Sequence, residues 1–574
     1  MIRAVDIRRR KVGAVALDGI HPVLARVLAG RGQKRPPDYS LKGLLPPTLL
    51  GLDRAAEILA EAIVNRQQIL VVGDFDADGA TGTALAVRAL TALGARDVRW
   101  MVPDRFRHGY GLSASLVAEI AQPLPDVLVT VDQGVSSLEG VASARALGMR
   151  VVVTDHHLPG PELPAADAIV NPNLPGEGFG SKALAGVGVM FYTALAVRAR
   201  LRELGVFDQR QAPRLDALLD LVALGTVADL VPLDENNRRL VHQGLARMRA
   251  GRCSHGVRAL LEVAGRNLRH VQAADMGFAA GPRLNAAGRL DDMGIGIRCL
   301  LADSERAARD LATELDALNS HRKAIQADMQ KLAEERADQA AVALDGSVQG
   351  LCVFEPDWHQ GVVGLVAGRL MERLQRPVIA FAPAESGSAE LKGSGRSPVG
   401  LHMRDLLVEI DTRCPGVMDR FGGHARAAGL SLARDRLDTF RAGFDEVLAD
   451  HEFSDEVVVT DGELAASEFS TATAEALEQG GPWGQSWPEP LFDGRFRVVD
   501  HRIVGQSHLK MRLQPEGTDR IVDAIAFRAG KLLDQELPRS LALTYRLELN
   551  RWRGDVIPQI NVQHLVRATR TVSV

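Results

Sequence analysis

The sequence predicts an α/β chain of several domains: a parallel-sheet domain, a long connecting helix, a second, smaller α/β domain and a β-rich tail. Three observations lead there. Between residues 51 and 160, short apolar runs alternate with helical segments. A stretch of about forty residues from Ser304 holds neither Gly nor Pro. Beyond residue 490, five short β-prone segments follow one another with turns between them. At 574 residues the chain is too long for one ordinary domain and suggests about three or four.

Residues 1–50 are rich in Pro, Gly and Arg, and PPDYSLKGLLPP reads as an extended N-terminal arm. The parallel-sheet domain is placed at 51–300. Its strands are QILVVGD, PDVLVTVD and RVVVTDHH, continuous apolar runs of the kind buried on both faces. TGTALAVRALTALG and LEGVASARALG are the helices between them, and 183–300 is mostly helical. The connecting helix spans 301–346 and approaches 60 Å at about 1.5 Å per residue. The smaller α/β domain, 347–452, contains the strands GLCVFE and PVIAFAP and the Gly-rich segments KGSGRSP and FGGHARAAG. The tail, 453–574, is expected to be a small β-barrel or sandwich.

With 46% hydrophobic and 24% charged residues the chain is ordinary for a globular protein, with apolar material for several cores. Its four cysteines form no CxxC pair, which speaks against a zinc ribbon or a thioredoxin-like site. The basic N-terminus has no long apolar run after it and no stretch of 18 apolar residues occurs, so neither a secretory leader nor a membrane span is expected; the default location is the cytoplasm. The net charge of -4 argues against a general nucleic-acid coat but leaves room for a focused basic channel. From Asp234 to Arg289 there are ten Arg, no Lys and four acids. That excess is either a solvated helical face or a surface for a polyanion.

All three strands end in acids, and in parallel sheets ligands bind beyond the carboxyl ends of the strands. VVGDFDADGATG places Asp74, Asp76 and Asp78 at i, i+2 and i+4, on one side if the strand runs through them. Crowded carboxylates raise one another's pKa, and a divalent cation reverses that cost. DxDxDG also opens calcium loops, but the preceding apolar strand and Leu85 at the twelfth position, where such loops carry Glu, disfavour that reading. The next strands deliver Asp132, then Asp155, His156 and His157, and GTVADLVPL supplies Asp229. Six carboxylates with two imidazoles are untenable in one pocket without metal. The oxygen-rich set suits Mg²⁺ or Mn²⁺, with the imidazole favouring Mn²⁺. Two cations sharing a carboxylate activate water and clamp a phosphoryl group.

GDFDADGATG, VTVDQG, VTDHH and GTVADLVPL, in that order, resemble the motifs of the DHH phosphoesterase superfamily. GPRLNAAGR, WHQGVVG, GSGRSP and GGHARAAG extend the resemblance, over nearly the whole chain, to the RecJ family of bacterial exonucleases specific for single-stranded DNA. The resemblance implies a 5'→3' exonuclease that releases mononucleotides by two-metal hydrolysis in recombination and DNA repair. It also implies a ring-like enzyme, a GGH motif in the smaller domain and an OB-like barrel in the tail. It places the metal ligands at Asp76, Asp78, Asp132, His156 and Asp229, with Asp132 as the bridge. Asp74, Asp155 and His157 are its further catalytic positions, His157 touching the scissile phosphate. Arg105 falls near the terminal phosphate, Ser394, Arg396 and His424 form a phosphate site, and Arg283 and Arg289 guide the strand. A lone Arg serves a surface ion pair equally well. Trp358 and His359 are further candidates, Trp358 being equally suited to the core. The implied partners are a single-stranded DNA-binding protein and a RecQ-type helicase, and the implied state is a monomer. Other DHH enzymes, acting on dinucleotides or pyrophosphate, share the acidic strand ends but lack the long helix and β-rich tail. A non-catalytic scaffold is disfavoured because every acidic position is filled.

Overall fold

The apolar runs at 68–72, 127–131 and 150–154 leave no polar face for solvent, so the strands they form have to be covered on both sides, and helices do so here. The structure, a computed structural model, describes residues 4–12, 17–208, 211–343, 349–451, 453, 457–505, 507–529, 538–552 and 555–566. Residues 344–346, expected to end the connecting helix, lie outside them, as do the last eight residues of the tail. The chain divides into two compact units, residues 35–319 with 478–489, and residues 1–34 with 320–477 and 490–574.

The first strand, β1 (Ala4–Arg9), belongs to the second unit. The sheet of the first unit is formed by β2 (Gln68–Val72), β3 (Asp97–Met101), β4 (Val127–Val131), β5 (Arg150–Thr154) and β6 (Ala168–Val170). All are parallel, in the order β3-β2-β4-β5-β6. From β3 the chain crosses back over β2 to reach β4, so the winding reverses between β2 and β4, where doubly wound sheets open a crevice. β3 and β6 were not among the expected strands. β3 reads DVRWM, with charges between its apolar residues, and is only half-buried at the sheet edge; β6 is three residues long.

The helices Ala77–Leu93, Gly186–Glu203 and Leu219–Ala228 pack against one another behind the sheet. The long helix runs over Glu305–Ala343, about 58 Å at 1.5 Å per residue, and passes from the first unit into the second.

In the second unit, β7 (Leu351–Phe354), β8 (Val378–Pro383), β9 (Glu390–Arg396), β10 (Arg420–Gly423) and β11 (Ala427–Ala433) make a mixed sheet in the order β10-β11-β9-β8-β7. Phe381, Phe440 and Phe444 fill its core. KGSGR of the first Gly-rich segment is strand, and FGGHARAAG supplies the ends of two strands with His424, Ala425 and Arg426 between them. After β12 (Val457–Thr460) come β13 (Phe492–Val504), β14 (His508–Pro515), β15 (Val522–Ala526), β16 (Ser540–Trp552) and β17 (Asp555–Val566). Pairing runs β13-β14-β15-β17-β16 and back to β13, which closes a five-stranded barrel around Phe469, Phe492, Phe496 and Tyr545. The expected barrel is therefore present, with OB-type strand order.

The expected arm is more ordered than its composition suggests. β1 pairs in parallel with β12 and β17, and the helix Pro22–Gly30 follows. Arg31 then bonds Asp461 at 2.7 Å, both side chains being buried. Polar β-prone residues find a place here only because β12 and β17 offer an open edge far away in sequence.

Candidate active site

Asp74, Asp76 and Asp78 do not continue the strand, contrary to the spacing argument. β2 stops at Val72, and Asp76 caps the helix Ala77–Leu93, its Oδ1 accepting from the N–H groups of Asp78 (2.9 Å) and Gly79 (3.0 Å). A capping Asp satisfies N–H groups that the helix leaves unpaired, which ends the extended run there. Asp78, in the first helical turn, accepts from Gly186 N (2.6 Å) and Val187 N (2.9 Å) and so caps the helix Gly186–Glu203 as well. Asp132 follows β4 with φ +64, a left-handed conformation costing roughly 1–2 kcal/mol in a residue with a side chain. A Cβ at Gly186 would lie 2.4 Å from that of Asp132, so only glycine lets this helix approach so closely. Asp229 caps the C-terminus of the helix Leu219–Ala228.

These side chains converge. Oxygens of Asp74, Asp76 and Asp132 lie within 4.8 Å of one another, and so do ligand atoms of Asp78, His156 and Asp229 and of Asp132, His156 and His157. His156 Nε2 is 3.1 Å from Asp132 Oδ1, 3.5 Å from Asp229 Oδ2 and 3.9 Å from Asp78 Oδ2. Yet Asp74 Oδ1, Asp132 Oδ1 and His156 Nε2 are buried without a hydrogen-bond partner among the described residues. Orphaned buried acceptors facing a common point fit a cation, and the oxygen-rich set with one imidazole fits Mg²⁺ or Mn²⁺. Asp132 and His156 each belong to two of the three groups, which ties the clusters into one site.

The electrostatics agree. Burial first, and then the Asp76 carboxylate, push Asp74 well above the carboxylate range and Asp78 up to about 7. Asp132 and Asp229 are raised by burial and by Asp78. Burial and the neighbouring His157 lower His156 to about 4, so its ring is neutral and its lone pair is available near pH 7. Burial alone would lower His157, but the hydrogen bond and charge of Asp155 raise it to about 9.

Asp155 is an orienting group. Its Oδ2 accepts from Val135 N, and its Oδ1 accepts from the N–H groups of His156 and His157 and lies 2.8 Å from His157 Nδ1. Burial would raise it, but its bond to His157 and the charges of both imidazoles hold it below its ordinary value. Four residues missed by the sequence reading complete the site. Asn171 and Asn173 donate to the carbonyls of His157 and His156 at 2.9 and 2.6 Å. Tyr110 OH lies 3.1 Å from His157 Nδ1 and donates to the Asp132 carbonyl at 3.3 Å. Asn285, inside GPRLNAAGR, accepts from Ala77 N at 2.8 Å. Its NAAG spacing was the available signal, since Gly288 has to be a glycine: a Cβ there would sit 1.8 Å from Phe75 O.

Arg105 lies 4.0 Å over the Phe75 ring, close enough to Asp74 and Asp76 to feel both charges, and lines a cavity of about 390 Å³. Arg283 is nearly buried, bonded to Asp316 at 2.7 Å and to the Ala279 carbonyl. Arg289 is half-buried in the last turn of the helix Gly281–Leu290.

The second unit holds a separate polar cluster. Ser394 and Arg396 share one face of β9, and Arg396 Nη1 donates to Ser394 Oγ at 2.8 Å. Both groups would come within 2.9 Å of a Cβ on Gly364, in the first turn of the helix Val363–Leu374. Burial lowers Arg396, and among the described residues no carboxylate answers it. A desolvated guanidinium beside a helix N-terminus favours an anion. β9 pairs Arg396 with Ala427, which puts the exposed His424 turn at the same sheet end. Trp358 is buried, in keeping with a core role, and His359 Nδ1 accepts from Gly361 N at 3.1 Å.

Residues 68–226 match the family described as DHH family, N-terminal domain; 345–450 match the DHHA1 domain; 460–564 match the RecJ OB domain. The chain is 51% identical over 570 residues to the single-stranded-DNA-specific exonuclease RecJ of Dickeya dadantii, covering 98% of this chain and 99% of the relative. Among solved structures, RecJ of Thermus thermophilus in complex with Mn²⁺ matches with a TM-score of 0.79 and 30% identity, over 98% of this chain and 80% of that one. The same protein in complex with Mg²⁺ matches at 0.76 and 29%, over 98% and 79%.

Proposed function

The chain belongs to the RecJ family, and from that premise we propose how its residues carry out the family's reaction. It is a single-stranded-DNA-specific exonuclease. The observation that supports this site as the centre of hydrolysis is the set of orphaned, buried ligand atoms on Asp74, Asp132 and His156.

Two cations would be held, one by Asp74, Asp76 and Asp132 and one by Asp78, His156 and Asp229. When bound, such ions polarise the phosphodiester and ready a water for attack on phosphorus. The chain's own groups do the rest. Asp155 holds the His157 ring so that the imidazolium, charged near pH 7, offsets charge on a non-bridging oxygen. Asp76 and Asp78 fix two helix N-termini on the site. Arg105, over Phe75, adds positive charge beside the acids. Ser394, Arg396 and His424 take a backbone phosphate near the 5' end, giving 5'→3' polarity and release of mononucleotides. Arg289 steers the strand; Arg283 acts indirectly, by bracing the start of the long helix. The same reading assigns catalysis to 51–300, end-binding to 347–452 and strand-holding to the barrel within 453–574. A cytoplasmic monomer working beside a single-stranded DNA-binding protein and a RecQ-type helicase in recombination and repair completes it. No helix among the described residues is long and apolar enough to cross a membrane.

Hydrolysis of a long 5'-phosphorylated single strand, compared with a dinucleotide and with pyrophosphate, tests the reading. Mononucleotides are expected from the long strand; activity confined to the small substrates would reject it.

A further inference from the structure

Beside Asp229 the chain leaves two large apolar side chains in water. Phe278 is 80% exposed, although its neighbours Met276, Ala279 and Ala280 are buried. Leu230, the residue after Asp229, is 64% exposed and holds φ +61, a conformation that side-chain-bearing residues avoid. Phe278 sits in a π-helical turn, Met276–Ala280, wound one residue wider than an α-helix. Glycines in that turn and just after it let it lie against the end of the helix that carries Asp229. A Cβ at Gly277 would lie 3.4 Å from Val227 Cγ1 and 3.8 Å from Val227 O, and one at Gly281 would lie 3.1 Å from Ala228 Cβ. The Val227 carbonyl also accepts from Leu230 N at 3.3 Å, so both apolar residues hang from one small patch of backbone beside the carboxylate cluster. Exposing two such side chains on strained or widened backbone stabilises nothing in the fold, and strain kept at such a place points to a ligand.

We propose that Phe278, with Leu230 beside it, is a stacking platform for a base of the bound strand, next to the phosphate at the carboxylate cluster. This rests on the exonuclease reading above and adds to it a physical source of strand selectivity. Every base has a π-face, so the platform is indifferent to sequence, but in a duplex both faces of each base are already covered by neighbours. An unpaired base can leave its stack at little cost, whereas a paired one first has to break its pair.

The test uses the full-length enzyme with Mn²⁺ and two 5'-phosphorylated single strands, one normal and one abasic at its first four positions. For Phe278→Ala, KM on the normal strand should rise about ten-fold or more, the size expected for losing one base–aromatic contact. On the abasic strand the variant should match the parent, and Phe278→Trp should restore KM on the normal strand. An equal loss on both strands, no loss on either, or failure of Trp to restore would overturn the platform while leaving the exonuclease reading intact. A parent enzyme inert on both strands would overturn that reading and the platform with it. The melting temperature of Phe278→Ala, whose side chain is in water, should not fall; a fall of several degrees would instead mark a packing role.

Discussion

At the residue scale the site is a cluster of charges that the fold alone would not tolerate. Asp132 shows this most clearly: buried, left-handed, and with an oxygen that has no hydrogen-bond partner among the described residues. Asp132→Asn should therefore lower kcat on the order of 10³-fold, about 4 kcal/mol of lost transition-state stabilisation, in a steady-state assay. The same substitution should raise the melting temperature of the metal-free protein, because it removes a repelling carboxylate. Titration of the metal-free chain follows from the same crowding. Asp78, held near 7 instead of 3.8, keeps a proton that the unfolded chain has lost, so folding weakens as pH rises from 3.8 to 7. His157, raised to about 9, contributes fully below 6.5 and loses its contribution as pH rises to 9. His156, lowered to about 4, works the other way, destabilising as pH falls from 6.5 to 4. Below 6.5 these effects oppose one another; above it they do not. Thermal unfolding of the metal-free protein should thus show falling stability from pH 6.5 to 9, and Mn²⁺ should abolish the fall. The identities of these acids were legible in sequence because each follows an apolar strand or helix. Their geometry was not: an Asp that caps a helix and an Asp that ends a strand look alike until the turn is seen.

At the scale of elements, the GPRLNAAGR helix shows how a motif holds more than its most conspicuous residues. Its arginines drew attention because charge suggests a polyanion, yet Arg283 is bonded to Asp316 and Asn285 and Gly288 hold the carboxylate loop. Asn285→Ala should cost about 10–100-fold in kcat/KM, as loss of a group supporting a metal site does, while stability falls by only about 1 kcal/mol. Asn285→Asp, which keeps the acceptor, should recover most of the activity. Gly288→Ala should be worse than either, since its Cβ collides with backbone and not with a movable side chain. β2, β4 and β5 were read correctly because burial on both faces writes an unbroken apolar run. β3 and the N-terminal β1 were missed because edge position and distant pairing leave no local apolar signature.

At the scale of the whole molecule, a net charge of -4 has to be reconciled with a polyanionic substrate. On the proposed reading the answer lies in local sites: a desolvated Arg396 beside a helix N-terminus, Arg105 beside the acids, and a closed barrel whose type holds single strands. The logarithm of single-strand affinity should fall linearly with log salt, and Arg396→Ala should reduce the magnitude of that slope by about 0.7, the share of one phosphate contact. The closed barrel was foreseen as an alternative to a sandwich; five short β segments do not reveal whether the sheet closes on itself, and here β16 closes it by pairing with both β13 and β17. The most direct test of the central claim, a two-cation centre shared through Asp132, is titration of Mn²⁺ into the metal-free protein by calorimetry, with digestion of end-labelled single-stranded DNA followed in parallel. The account predicts about two ions bound per chain in the parent, loss of binding in Asp132→Ala, and mononucleotide release that appears only as the sites fill. Full digestion by the metal-free protein, or by Asp132→Ala at the parent's rate, would contradict it.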